Sequence, residues 1–381
     1  MMKRLTGHGK KMIMAMLLGT LPITALFLTL RSSPEAQLIE RYRGPQSEWP
    51  APWIDEGVTA APLATLPPDV PHPADNPDST AKRELGKQLF FERRLSRSEQ
   101  IACASCHDPD LGWADGRRLA IGHNRRVGDT NSPTVVNVGY LQEIFWDGRA
   151  ASLEEQVIAS LSDPREMAAD PERAAARIAN ISGYAPLFSE AFGDSRVNAE
   201  RIAAAVATFM RSLRFANTPF DRFMAGETDR LDERQIRGLH LFRTEARCMN
   251  CHHGPLLSDE RYHHLGTSFH NVGNFQGRYR VTGTPEDVGA FRTPPLRGAA
   301  STLPLTHSGM ARDLDTLIRL YEMGWWQNAD LDDKGNNIPT ARLSPLIKPL
   351  SLSRQDREDL KAFLEALDGP MPYMLPPDEL H

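Results

Sequence analysis

Only four cysteines occur in 381 residues, too few to staple a secreted scaffold through disulfides. An excess of positive charge is also missing, since 44 lysines and arginines meet 49 acids for a net of −5. Five of the basic residues (Lys3, Arg4, Lys10, Lys11 and Arg31) fall in the first 31 positions with no acid among them, so the rest carries −10. Nucleic acid requires a basic face, and that balance excludes it as a partner. A content of 40% hydrophobic and 24% charged residues excludes a disordered chain, and a polytopic membrane protein as well. Convincing alternation of apolar and polar residues is absent too, which argues against a sheet-based fold.

One long uncharged run is present, Met12–Leu30, behind a basic tip at residues 1–11. As a helix, those 19 residues would span roughly 28 Å, about the hydrocarbon thickness of a bilayer. Two readings compete, a cleaved signal peptide and an uncleaved signal anchor. No A-x-A-like site follows in Leu28-Thr29-Leu30-Arg31-Ser32-Ser33, which favours the anchor. Either way the basic tip stays cytoplasmic and the remainder is exported. The expected location is the periplasm, tethered to the inner membrane through residues 12–30.

Residues 31–80 hold ten of the 29 prolines and read as a stiff, extended linker. Helical periodicity begins at Ala81 with Leu85, Leu89 and Phe90. It returns at Ile202, Val206, Phe209, Met210 and Leu213, and again at Ile236, Leu239 and Phe242 behind Asp232 as N-cap. A last helix carries Leu360, Phe363, Leu364 and Leu367 between the capping pair Ser353/Asp356 and Gly369. The long Gly/Pro-rich stretches 108–148 and 254–312 lie between, and loops of that length usually wrap something functional.

All four cysteines fall into two copies of one motif, Cys103-Ala-Ser-Cys106-His107 and Cys248-Met-Asn-Cys251-His252. The spacing suits two thioether links to haem vinyl groups, with the adjacent histidine reaching the iron. A zinc site would want closed tetrahedral ligation, which one histidine directly after the second cysteine fits poorly. A dithiol redox pair would not explain a histidine in both copies. The fold expected is mainly α, two c-type cytochrome domains each wrapped around one covalently attached haem c, with long irregular loops. The expected boundaries are 81–228 and 229–369, followed by a tail at 370–381.

With both motifs in place, the chain resembles the bacterial dihaem cytochrome c peroxidases, including their MauG-like branch. The resemblance runs from about Asn76 to Gly369. It rests on Leu85-Gly-Lys-Gln-Leu-Phe-Phe91, Asn131-Ser-Pro-Thr134, Phe145-Trp-Asp-Gly-Arg-Ala150, Gly238-Leu-His-Leu-Phe242, Phe291-Arg-Thr-Pro-Pro-Leu296 and His307-Ser-Gly309. It implies a peroxidatic N-terminal haem on His107 and an electron-transferring C-terminal haem on His252. Trp146 matches the tryptophan between the two haems, Gln156 a distal amide, and Glu166 the distal acid that shuttles a proton during peroxide cleavage. Ser160 stands where the family shows proline. His123, sixteen residues after His107, matches a histidine that ligates the peroxidatic iron at rest in several members.

Tyr321 stands where many members have a methionine ligand to the second haem. Tyrosine there resembles the MauG-like branch, and Met323 and Met310 are the nearby alternatives. Asn131, Thr302 and Pro304 match positions that hold one calcium ion between the domains, an ion suited to such oxygen ligands. The function implied is reduction of hydrogen peroxide with electrons from a small c-type cytochrome or another exported carrier, by a chain with the family's tendency to dimerise. One alternative is a MauG-like enzyme oxidising side chains of a partner protein. The other is a non-enzymatic dihaem electron-transfer cytochrome, against which Glu166 and Gln156 argue.

Overall fold

The computed structural model describes residues 33–267, 276–326 and 338–381. The apolar run at 12–30 lies outside the described residues, and among those described no helix is long and apolar enough to cross a membrane. Eleven α-helices are described: α1 (Pro34–Arg43), α2 (Thr80–Phe90), α3 (Leu153–Ser162), α4 (Pro171–Ala179), α5 (Tyr184–Phe192), α6 (Ala199–Ser212), α7 (Pro219–Met224), α8 (Glu233–Arg243), α9 (Tyr279–Thr282), α10 (Leu314–Glu322) and α11 (Arg354–Ala366). The strands described are β1 (Tyr262–His263) and β2 (Phe291–Arg292), an antiparallel pair. Elsewhere the long stretches run as turns and isolated bridges.

Local chemistry starts these helices where the side chains demand. Ser79 and Asn198 cap α2 and α6. Asp232 with Gln235, and Ser353 with Asp356, form reciprocal capping boxes on α8 and α11. The same crossing is then built twice. At Gly86 an added Cβ would sit 2.0 Å from the Ala205 carbonyl oxygen, and at Gly238 one would sit 2.0 Å from that of Asp359. Glycine is required at each because the partner helix lies directly on its backbone. Four residues on, Phe90 meets Phe209 with ring centroids 5.2 Å apart, and Phe242 meets Phe363 at 5.1 Å.

Two hydrophobic cores result. The first is built on α2–α6 and includes Leu85 through Phe215. The second gathers α1, α7, α8, α10 and α11. The break falls between Phe215 and Phe220, earlier than residue 228, because Phe220 of α7 packs edge-on against Phe363 of α11.

The linker expected at 31–80 is corrected by the structure. Ile39, Tyr42, Trp49 and Leu63 are buried in the second core. The Tyr42 hydroxyl lies 3.1 Å from His240 Nδ1 and accepts a hydrogen bond from Arg243 at 3.0 Å. Proline count alone read this segment as extended spacer, whereas its few aromatic and aliphatic residues have apolar surface to bury. The C-terminal tail does the reverse and straps the first core. The Pro372 carbonyl accepts from the buried Trp113 indole at 2.6 Å, and Leu380 O accepts from Arg94 at 2.9 Å. Within the second half, the buried Arg297 ties three segments together: it pairs with Asp221 at 2.7 Å and donates to Ala64 O at 3.0 Å and to Pro255 O.

Candidate active site: a cavity shared by both haem-attachment motifs

Both motifs open onto one cavity of about 430 Å³. Each begins with a short 3₁₀ turn, at Cys103–Ser105 and Cys248–Asn250, which projects two cysteines and the following histidine to the same side. The four thiols form no disulfide. Burial raises the Cys103 and Cys248 thiols to about 12 and Cys106 to about 11. Redox-active Cys-x-x-Cys pairs are held low instead, so these are not poised as a dithiol couple.

The two histidines are oriented alike. His107 Nδ1 lies 3.2 Å from the Trp113 carbonyl oxygen, and His252 Nδ1 lies 2.8 Å from that of Leu257. A carbonyl only accepts, so Nδ1 carries the proton and Nε2 keeps a free lone pair for a metal. Burial pushes His107 down, and His252 down to about 4, so both are neutral donors at ordinary pH. This donor set fits two covalently attached haems.

The distal side of the first half comes from α3 and the loop after it. Gln156 and Ser160 lie one turn apart on the helix, and Gln156 Nε2 donates to Ser160 Oγ at 2.8 Å. The Ser160 hydroxyl in turn favours the ionised Glu166 carboxylate. Burial raises the Glu166 pKa, while the Ser160 hydrogen bond and the Arg149 cation oppose that rise. Arg149 sits 3.9 Å from Glu166, 2.9 Å from Asp147, and 3.3 Å above the Phe145 ring. Sequence reasoning missed Arg149 and Phe145, although the Phe145–Ala150 motif contains both. Ser160 it noted as a departure, and the hydroxyl supplies a link that proline could not.

Trp146 is held from both halves. Its indole donates to Asn131 O at 2.9 Å, and its carbonyl accepts from the Arg292 N–H at 2.9 Å. His307 approaches it edge-on at 6.3 Å and stacks on Phe291 at 3.6 Å. In the second half, Tyr321 of α10 lines the cavity and burial raises its phenol. Met323 is 58% exposed, and neither it nor Met310 lines the cavity.

Apart from the alternatives Met310 and Met323, all but one of the candidate site residues singled out from the sequence line this cavity, Asn131, Thr302 and Pro304 among them. The exception is His123, which the structure does not bring to the wall. It is buried behind the loop that carries Glu166, with its backbone N–H donating to Glu166 O at 2.8 Å. The cause is Gly122, where a Cβ would stand 2.0 Å from Arg165 O and keep the two segments apart. His263 lies 2.8 Å from Asp259, and the grouping of Cys251, Asp259 and His263 uses a sulfur already claimed by the attachment motif.

A family model described as di-haem cytochrome c peroxidase matches residues 80–229. A cytochrome-c peroxidase of Pseudomonas sp. (strain SCT) is 36% identical over 343 residues, covering 82% of this chain and 87% of the relative. The methylamine utilization protein MauG of Methylophilus methylotrophus is 36% identical over 309 residues, covering 80% and 87%. Among solved structures, a MauG-like protein associated with microbial copper homeostasis superposes with a TM-score of 0.70 at 29% identity, covering 83% of this chain and 95% of that one.

Proposed function

Because the chain belongs to the di-haem cytochrome c peroxidase family, we propose that it reduces hydrogen peroxide to two waters in the His107 half, taking two electrons and two protons per turnover. The observation that carries this reading is that Glu166 and Gln156 face the same cavity as Cys103, Cys106 and His107. Covalent haem in each half supplies the iron at which peroxide is cleaved and the store from which electrons come.

The chain's own residues supply the rest. Glu166 takes the proton from one peroxide oxygen and returns it to the departing one, and burial tunes it for both roles by raising its affinity for that proton. Ser160, itself fixed by a hydrogen bond from Gln156, favours the ionised carboxylate. Arg149 favours that form too. Trp146 links the halves, and electrons enter through the His252 half from a small exported carrier such as a c-type cytochrome. Asn131, Thr302 and Pro304 would hold a calcium ion through oxygen ligands. The chain works outside the cytoplasm, in two haem domains that meet between about residues 215 and 220, with residues 34–63 belonging to the second.

The MauG-like reading, oxidation of side chains on a partner protein, is favoured by Tyr321 on the cavity wall in place of a methionine. One experiment addresses both readings. The fully ferric, haem-loaded protein is mixed with one equivalent of peroxide, and then again after one-electron reduction. Turnover with reduced cytochrome c supports the peroxidase. A spectral response before any reduction favours the MauG-like reading. No response in either state rules out both.

A further inference from the structure

Strand β2 delivers to the cavity a buried cation that the proposed mechanism leaves unused. Arg292 is 6% exposed and lines the cavity next to Trp146. Its Nε–H reaches Phe145 O only at 3.4 Å, and its Nη1 is buried without a hydrogen-bond partner. Glu143 and Glu260 are the acids whose charge is felt most at this site, and both are committed elsewhere. Glu143 pairs with Arg278 at 2.9 Å and accepts from Tyr262 at 2.7 Å, while Glu260 accepts from the Gln142 N–H at 3.0 Å. No ion pair reaches Arg292 among the described residues.

A guanidinium stays protonated even when buried, and a buried charge without a counter-charge is strongly unfavourable. The missing anion must therefore come from the cavity side. The rigid fork of the guanidinium matches a carboxylate through two parallel hydrogen bonds. Haem carries carboxylates of this kind on its propionate arms.

We propose that Arg292 is the anchor for a haem propionate carboxylate, and that the resulting pair, set against Trp146, fixes the reduction potential of the haem it binds. This rests on the reading that the cavity holds two haems. Either haem could supply the propionate to a residue placed beside Trp146, and the chemistry is the same for both. A positive charge at this position stabilises ferrous over ferric iron, so its loss lowers the potential of the haem whose propionate it holds.

The test uses the full-length, haem-loaded protein. Pyridine haemochrome first counts haems per chain, and fewer than two in the wild type would sink the two-haem reading independently of Arg292. In Arg292→Gln, spectroelectrochemical titration is expected to show one haem potential lowered by at least tenfold in its one-electron equilibrium, or 59 mV, with the other unmoved. The spectrum that shifts identifies which haem supplies the carboxylate. Two haems per chain with both potentials unchanged would overturn the proposal. Should Arg292→Gln fail to load, resonance Raman spectra of the wild type and Arg292→Lys decide. A shift of one propionate bending mode supports the anchor, and unmoved modes overturn it.

Discussion

Replacing Glu166 by glutamine keeps the volume and hydrogen-bonding reach of the side chain but removes its capacity to accept a proton. Glu166 belongs to neither attachment motif, so haem loading and the resting optical spectrum are expected to match wild type. Gln156 still donates to Ser160, and Arg149 still lies on Phe145. What disappears is general acid–base catalysis at one position, worth typically 10²–10⁴-fold. At 1.36 kcal/mol per tenfold, that is about 3–5 kcal/mol of transition-state stabilisation. The upper part of the range is expected, because burial raises the Glu166 pKa toward the working pH, where proton transfer is most effective. Stopped-flow measurement of the second-order rate with hydrogen peroxide reads the loss directly. A decrease of less than about tenfold, with the resting spectrum unchanged, would show that protons reach the peroxide by another route.

The pH profile should follow from the same residue, since Glu166 accepts a proton only when ionised. The rate falls as pH drops through its raised pKa, placing the acid limb above the usual carboxylate value of about 4.3. Arg149→Met removes a cation that favours the carboxylate, so the limb moves to higher pH; an unmoved or lowered limb would contradict the contact. Tyr321→Met exchanges an anionic oxygen for a thioether, which raises the potential of the His252-half haem if Tyr321 ligates it. Potentiometry showing no shift excludes that ligation. Asp221→Ala strands the Arg297 guanidinium, since both side chains are almost fully buried. Urea unfolding of the loaded protein should register a loss of about 3–5 kcal/mol, and a loss under about 1 kcal/mol would show that water reaches the pair.

Much of this protein is written in short-range pattern. Two Cys-x-x-Cys-His motifs specify covalent haem because attachment depends on spacing that any conformation of five residues preserves. Asp232 and Ser353 announce helix starts because an N-cap acts on its own next turn. Trp146, Gln156, Glu166 and Tyr321 were legible only through the resemblance to a family, as each alone is an ordinary core or loop residue. Tertiary structure decided what depends on partners distant in the chain. Residues 34–63 dock on the second core because Tyr42 finds His240 and Arg243, contacts that no count of prolines could anticipate. His123 is withheld from the cavity because Gly122 lets its hairpin lie flat against the Arg165 backbone. Arg149 and Arg292 acquire meaning only once folding has brought one within reach of Glu166 and left the other buried without a counter-charge beside Trp146. Charge in a sequence is a number, but its free energy depends on burial and neighbours, and those are set by the fold.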